Sequence, residues 1–322
     1  MDYIVFDLEW NQCPYGKESE NPRLPFEIIE IGAVKLDESK KITDTFHALI
    51  RPRVYKKMHY QTRKIVHLKM EDLMREGRPF YEAARDFFKW CGDAPRFCIW
   101  GTGDLTELQR NLKYYGLSRL LPGPILYEDV QKLFAINYET RKQRRALSYA
   151  VDFLKIPENG QFHEALDDAW YTACVLQTIP DECIEENYSV DYYAFPKSRA
   201  EEITLRYPTY EKFISRTFAT KEALLDDPVV SRICCFECGR QVKKLFGFFP
   251  ENGRNFVALG RCGEHGIVKS KIRVRKASDG KYLAIRTVKM PDAAEIERIK
   301  EARERYLEKA GDAPGNGKRA SI

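Results

Sequence analysis

The stretch that most constrains the fold is Tyr3-Ile4-Val5-Phe6-Asp7-Leu8-Glu9-Trp10. Its β-branched and aromatic residues read as a strand, yet two carboxylates interrupt it. Side chains alternate along a strand, which puts Asp7 and Glu9 with Val5 on one face and Phe6, Leu8 and Trp10 on the other. Two like charges held a few ångströms apart repel, so one carboxyl takes up a proton or the pair takes up a cation. A divalent metal satisfies both acids at once. A solvated acidic face on an edge strand accommodates the same pattern, and other residues must decide between the two.

The chain has 322 residues, about twice the length of an ordinary domain, which argues for two domains. A hydrophobic fraction of 43% with 12% aromatics is enough for real cores. No basic n-region and apolar h-region open the chain, and no apolar run is long enough to cross a bilayer, so a soluble cytoplasmic protein is expected, with no membrane partner. In that compartment most of the nine cysteines are reduced. Cys13, Cys91, Cys98, Cys174 and Cys183 read as small packing residues, while Cys234, Cys235, Cys238 and Cys262 cluster.

A polar loop with turn formers follows the first strand, and Phe26–Leu36 and Ile42–Arg51 read as two more strands, an antiparallel meander with the first. His47, His59 and His67 have no ligand-like spacing and read as packing or surface residues. Residues 80–92 carry apolar side chains at helical intervals, and Phe97–Trp100 reads as a strand. It runs into Gly101-Thr102-Gly103-Asp104, where a helix begins. Asp104 with Glu107 three residues on fits a capping box, and Asp104 at a strand-to-helix turn also fits a site. Helices to about Tyr115 and over Ala146–Leu154, with the segment Ile125–Val130, continue an α/β alternation. The basic run 141–145 reads as a solvated face or a phosphate contact.

In His163-Glu164-Ala165-Leu166-Asp167-Asp168, five residues on a helix rotate by about 500°, so His163 and Asp168 cannot share one helical face. His163 is therefore expected in the loop or first turn, free to swing over carboxylates, with Asp168 on the rigid helix.

The order of these groups resembles the DEDDh exonuclease superfamily: D-x-E in the first strand, Asp at a strand-to-helix turn, then H-x4-D opening a late helix. The opening FDLEWN and the later EIIEIGAVKL are most similar to its ERI-like, KapD-like branch. The resemblance covers roughly residues 1–180. It implies an α/β, RNase H-like mixed sheet flanked by helices, with Asp7, Glu9, Asp104 and Asp168 holding two Mg²⁺ or Mn²⁺ ions and His163 as general base. Oxygen-only ligands suit those ions, and an imidazole suits the proton transfer. By the same resemblance Asp7 serves both ions, Glu9 and Asp168 one and Asp104 the other. The H-x4-D spacing selects Asp168 over Asp167. Leu8 and Trp10, beside the metals, are expected to meet the chain end, although alternation turns Trp10 to the opposite face.

The second half carries Cys235-x2-Cys238-Gly and Cys262-x2-His265-Gly, two knuckles with the spacing of a Cys3His structural zinc site. They bracket a hairpin, Leu245–Phe249 and Asn255–Leu259, and precede another, Ile267–Arg275 and Tyr282–Lys289. Zinc is expected to staple a small, mostly β zinc-ribbon domain unable to hold together alone. Residues 231–290 carry fourteen Lys and Arg against four Asp and Glu. Lys269, Lys271, Arg273 and Arg275 alternate along one strand as a basic ladder suited to phosphates, or as the charges of a protected edge.

The expected organisation is an exonuclease domain over 1–180, an aromatic connecting segment over 181–230 with a helical stretch near 210–225, a zinc-ribbon and basic-hairpin domain over 231–290, and a charged helix with a disordered tail over 291–322. The expected function is 3′-to-5′ hydrolysis of single-stranded nucleic acid, RNA favoured. A DNA exonuclease and a non-catalytic RNA-binding ribbon protein are the rivals. Four acids gathered without partners argue against the last.

Overall fold

The first strand, β1 (Tyr3–Gln12), lies inside a six-stranded sheet and feeds two cores, one from each of its faces. The computed structural model describes residues 2–139, 143–157, 160–277 and 279–311, and the chain divides into two units, Met1–Ala194 and Phe195–Ile322. In the first unit β1 pairs antiparallel with β2 (Phe26–Leu36), and β2 with β3 (Ile42–Leu49). Two short helices follow, α1 (Tyr60–Ile65) and α2 (Met70–Glu76), then α3 (Phe80–Cys91), β4 (Arg96–Ile99), α4 (Gly103–Tyr114) and β5 (Ile125–Asp129). The unit finishes with α5 (Val130–Tyr138), α6 (Leu147–Leu154), α7 (Ala165–Thr178), α8 (Asp181–Glu186) and β6 (Ser189–Asp191). The strand order is β3-β2-β1-β4-β5-β6, with β1, β4 and β5 parallel and β6 antiparallel.

Ile4, Phe6 and Leu8 face the core against α3 and α4, whereas Tyr3 and Val5 face the core against α5, α6 and α7. The α3 helix buries Phe80, Ala83, Ala84, Phe87 and Cys91, the i, i+3, i+4, i+7 stripe that such a helix needs to pack on a sheet. The α5 helix was not legible in sequence. Its side chains Val130, Leu133, Phe134 and Ala135 are buried on a face only two turns long, directly after a strand.

In the second unit β7 (Ile203–Arg206), β8 (Tyr210–Ile214), β9 (Lys243–Asn252), β10 (Asn255–Cys262), β11 (Gly266–Lys276) and β12 (Tyr282–Lys289) form an antiparallel sheet in the order β7-β8-β12-β11-β10-β9. The helical stretch expected near 210–225 is instead β8, paired with β12, followed by the short α9 (Lys221–Leu225). Both hairpins of the ribbon form, the first turning at Gly253-Arg254. One face of the sheet packs on Phe218, Leu224, Val230, Ile233 and Phe236, and the other on Ile296 and Ile299 of α10 (Ala293–Gly311). The ribbon strands are thus extended by β7 and β8 into one sheet with an apolar core on each face.

Segment 181–230 contributes α8 and β6 to the first unit and β7, β8 and α9 to the second. The tail 312–322, Thr140–Lys142 and Ser278 lie outside the described residues. Of the basic run, Arg144 pairs with Asp129 at 2.8 Å and Arg145 with Glu139 at 3.1 Å. No helix among the described residues is long and apolar enough to cross a membrane.

Candidate active site and metal centre

β4 pairs with β1 only from Tyr3 to Val5, so Asp7 and Glu9 project beyond it at the carboxyl end of two parallel strands, where open α/β sheets bind ligands. The chain leaves β4 through Gly101, whose φ of 101° suits glycine, and enters α4. Asp104 does not cap that helix. The N-cap is Thr102, without a side-chain cap bond, and Asp104 sits in the first turn, where its Oδ1 accepts the Leu8 N–H at 3.3 Å. Glu107 pairs with Arg110 at 2.7 Å instead of completing a capping box.

Gly32, opposite Asp7 on β2, brings the fourth acid close. A Cβ there would lie 2.1 Å from Ala165 C and Leu166 N, so the first turn of α7 rests directly on the bare backbone of β2. That contact sets Asp168 beside Asp7. His163 precedes the helix at φ 69° with an exposed side chain, and its N–H donates to Asp168 Oδ2 at 3.1 Å. Glu9, His163 and Asp168 offer ligand atoms that all lie within 4.8 Å of one another. Asp167 turns away and accepts the Gln161 N–H at 2.8 Å.

Burial first, then Asp104, Asp168, Glu9 and Glu30, pushes the Asp7 carboxyl well above the usual range. Burial and Glu30 push Glu9 up to about 9, and burial raises Asp104 to about 7 and Asp168 to about 6. Asp168 Oδ1 is buried with no hydrogen-bond partner. An acidic group strained by its own charge, with an orphaned oxygen and only hard donors besides one imidazole, fits divalent cations of the Mg²⁺ or Mn²⁺ kind.

Glu30, which sequence reasoning passed over, faces Glu9 across β1 and β2. It is buried, holds His47 Nε2 at 2.7 Å and accepts the Ala165 N–H at 3.3 Å, tying α7 to the sheet. The hydrogen bond to Glu30 raises the His47 pKa. The signal was present: a second glutamate inside an apolar strand that pairs with β1. Of the two residues expected to meet the chain end, only Trp10 keeps an accessible side chain. Leu8 is buried in the core, and Trp10 is half-buried, its ring 5.9 Å from that of Phe26.

In the second unit Cys235, Cys238, Cys262 and His265 also place their ligand atoms within 4.8 Å of one another. Cys238 Sγ lies 3.7 Å from Cys262 Sγ, and Cys262 Sγ 3.7 Å from His265 Nδ1. A tetrahedron with Zn–S near 2.3 Å has edges of about 3.8 Å, so the spacing fits zinc. Gly239 and Gly266, each following a knuckle, take φ values of 70° and 85° that turn the chain back. N–H groups of Glu264 and His265 hold the Cys262 thiol down at about 6, favouring the thiolate that a metal needs. Cys234 is outside this group.

Lys269 leaves the basic ladder. It is only 6% exposed and meets Glu295 of α10 at 2.6 Å. Lys271 pairs with Glu251 at 3.4 Å, while Arg273 and Arg275 remain exposed.

The mixed sheet gathers these acids at its carboxyl edge, a donor set suited to divalent cations. Residues 4–176, just over half of the chain, match the RNase_T family model, described as exonuclease, and the chain belongs to that exonuclease family. No curated protein sequence matches it. The fold is similar to the nuclease domain of 3′hExo, a DEDDh family member crystallised with rAMP, with a TM-score of 0.50 at 18% identity over 58% of this chain and 96% of that one. Cell-death related nuclease 4 (CRN-4) matches with a TM-score of 0.46 at 17% identity over 59% of this chain, which spans 65% of CRN-4. E. coli exonuclease I, solved with a dA16 oligonucleotide, matches with a TM-score of 0.43 at 13% identity over 80% of this chain and 54% of that one.

Proposed function

We propose that this exonuclease removes nucleotides from the 3′ end of single-stranded nucleic acid, RNA in preference to DNA, with two divalent cations. The observation that carries the reading is the convergence of Glu9, His163 and Asp168 beside the half-buried Asp7 and the buried Asp104, within a domain of the exonuclease family. The 3′ direction and the sugar preference rest on the resemblance to the ERI-like branch.

Asp7, Glu9, Asp104 and Asp168 would hold the cations. When bound, the cations stabilise the attacking and leaving oxygens of an in-line displacement. His163 takes a proton from the attacking water at its imidazole, and its exposed, left-handed backbone position lets the ring approach while its N–H stays anchored on Asp168. The Leu8 N–H holds Asp104 in place.

A time course with 5′-labelled single-stranded RNA and DNA of one sequence, in Mg²⁺, Mn²⁺ and EDTA, tests this reading. A ladder that shortens from the 3′ end, faster for RNA and absent in EDTA, is expected. Binding without cleavage in either metal would leave a non-catalytic binder.

Cys235, Cys238, Cys262 and His265 hold a structural Zn²⁺. Elemental analysis should find one zinc per chain, lost in Cys262→Ser with a melting temperature lower by at least about 5 °C. A zinc-free chain with unaltered melting would refute the assignment.

A further inference from the structure

One end of the second unit's sheet encloses a cavity of about 380 Å³ whose wall is basic. Lys221 comes from the start of α9, Arg254 from the β9–β10 turn, and Arg273, Arg275 and Lys276 from the end of β11, with Tyr282 at the start of β12. The sheet itself gathers them. The Val274 N–H donates to the Arg254 carbonyl at 2.8 Å, Lys276 pairs with Tyr282 in the ladder, and Phe218 and Tyr282 exchange backbone hydrogen bonds just before α9. No carboxylate is among the described residues that line the cavity. Glu251 pairs with Lys271 and Arg298, and Asp279 with Lys281.

Five cations around one cavity repel, and an anion with several charges relieves that repulsion. We propose that this pocket binds consecutive phosphates of a single-stranded nucleic acid, at a site outside the residues that match the exonuclease family. Three features favour a strand. The cations come from three separate segments, suiting a run of phosphates better than a point charge. Arginines predominate, whose forked guanidinium groups match phosphate oxygens. Tyr282 adds a ring, already 5.7 Å from the Lys221 ammonium, on which a base can stack. The inference rests on the exonuclease reading for the class of polyanion. It replaces a linear ladder that includes Lys269 and Lys271 with a concave site that excludes both.

The test uses the full chain carrying Asp7→Asn, so that substrate survives, and reads the anisotropy of a fluorescein-labelled single strand across a salt series. Adding Arg254→Gln and Lys276→Gln is expected to weaken binding about tenfold at low salt and to reduce the slope of log affinity against log salt by about 1.4. The control pair Lys300→Gln and Arg305→Gln on α10 removes equal charge outside the pocket and is expected to do much less. Tripolyphosphate should compete with the strand on the parent chain and lose that effect in the pocket variant. Unchanged strand affinity in the pocket variant overturns the proposal, and if tripolyphosphate then still binds the parent chain by calorimetry, the pocket serves a free polyphosphate. Equal losses in pocket and control variants also overturn it. Cleavage by the wild-type chain is scored separately: pocket-dependent binding without cleavage refutes only the exonuclease reading, and cleavage with pocket-independent binding refutes only the pocket.

Discussion

Asp7→Asn is expected to lower cleavage by about 10³-fold or more while single-strand binding is retained. The acid lies at the centre of the group, where Asp104, Asp168, Glu9 and Glu30 all act on its charge. An amide keeps its shape and removes the charge that cations require. The same change should raise the melting temperature in EDTA, because a half-buried carboxylate crowded by four others destabilises the metal-free fold. Such a gain in stability with a loss of activity marks a group kept for chemistry rather than for folding. A variant that still degrades RNA at the parent rate would remove Asp7 from the mechanism.

The pH dependence of the metal-free chain follows from the same group. Glu9, pushed up to about 9, and Asp7, raised in the same direction, hold protons in the folded state at pH values where the unfolded chain has released them. The folded state then binds more protons than the unfolded one, so stability falls as pH rises from the ordinary carboxyl range near 4 towards about 9. Melting in EDTA should therefore decline over that window, and Mg²⁺ should flatten the decline by supplying the positive charge. A metal-free melting temperature that climbs between pH 5 and 8 would contradict this account.

What could be read in the sequence was set by periodicity, and what could not was set by partners distant in the chain. Alternation along β1 placed Asp7 and Glu9 on one face and Phe6 and Leu8 on the other, and the two cores show that split. Helical geometry put His163 ahead of α7, where its φ of 69° lies. Local pattern left Asp104 open between two readings, since a carboxylate three residues before a glutamate fits a capping box as well as it fits a bond to Leu8 across the fold. Alternation also grouped Lys269 with Arg273 correctly by face, but nothing local says that α10 brings Glu295 onto that face. Tyr210–Ile214 is short and carries two charged residues, and it is strand only because β12 lies beside it. Glu30 acquires its role from Glu9, His47 and Ala165, none of them its neighbour in sequence.

Gly32→Ala should damage the site without touching any of its acids. The added methyl would sit 2.1 Å from Ala165 C and Leu166 N and 2.4 Å from Ala165 O, all backbone atoms that no rotamer change can move aside. Ordinary contact requires the first turn of α7 to recede by roughly 1 Å or more. That turn lies two residues after His163 and carries Asp168, and its Ala165 N–H is bound to Glu30. Misplacement of about 1 Å costs on the order of 10²-fold in rate, and overpacking costs about 1–3 kcal/mol. The variant should thus show cleavage reduced about a hundredfold and a lower melting temperature, with zinc content and binding by the second unit unaffected. Parent-level cleavage would mean that the seat of α7 on β2 does not set the position of Asp168 and His163.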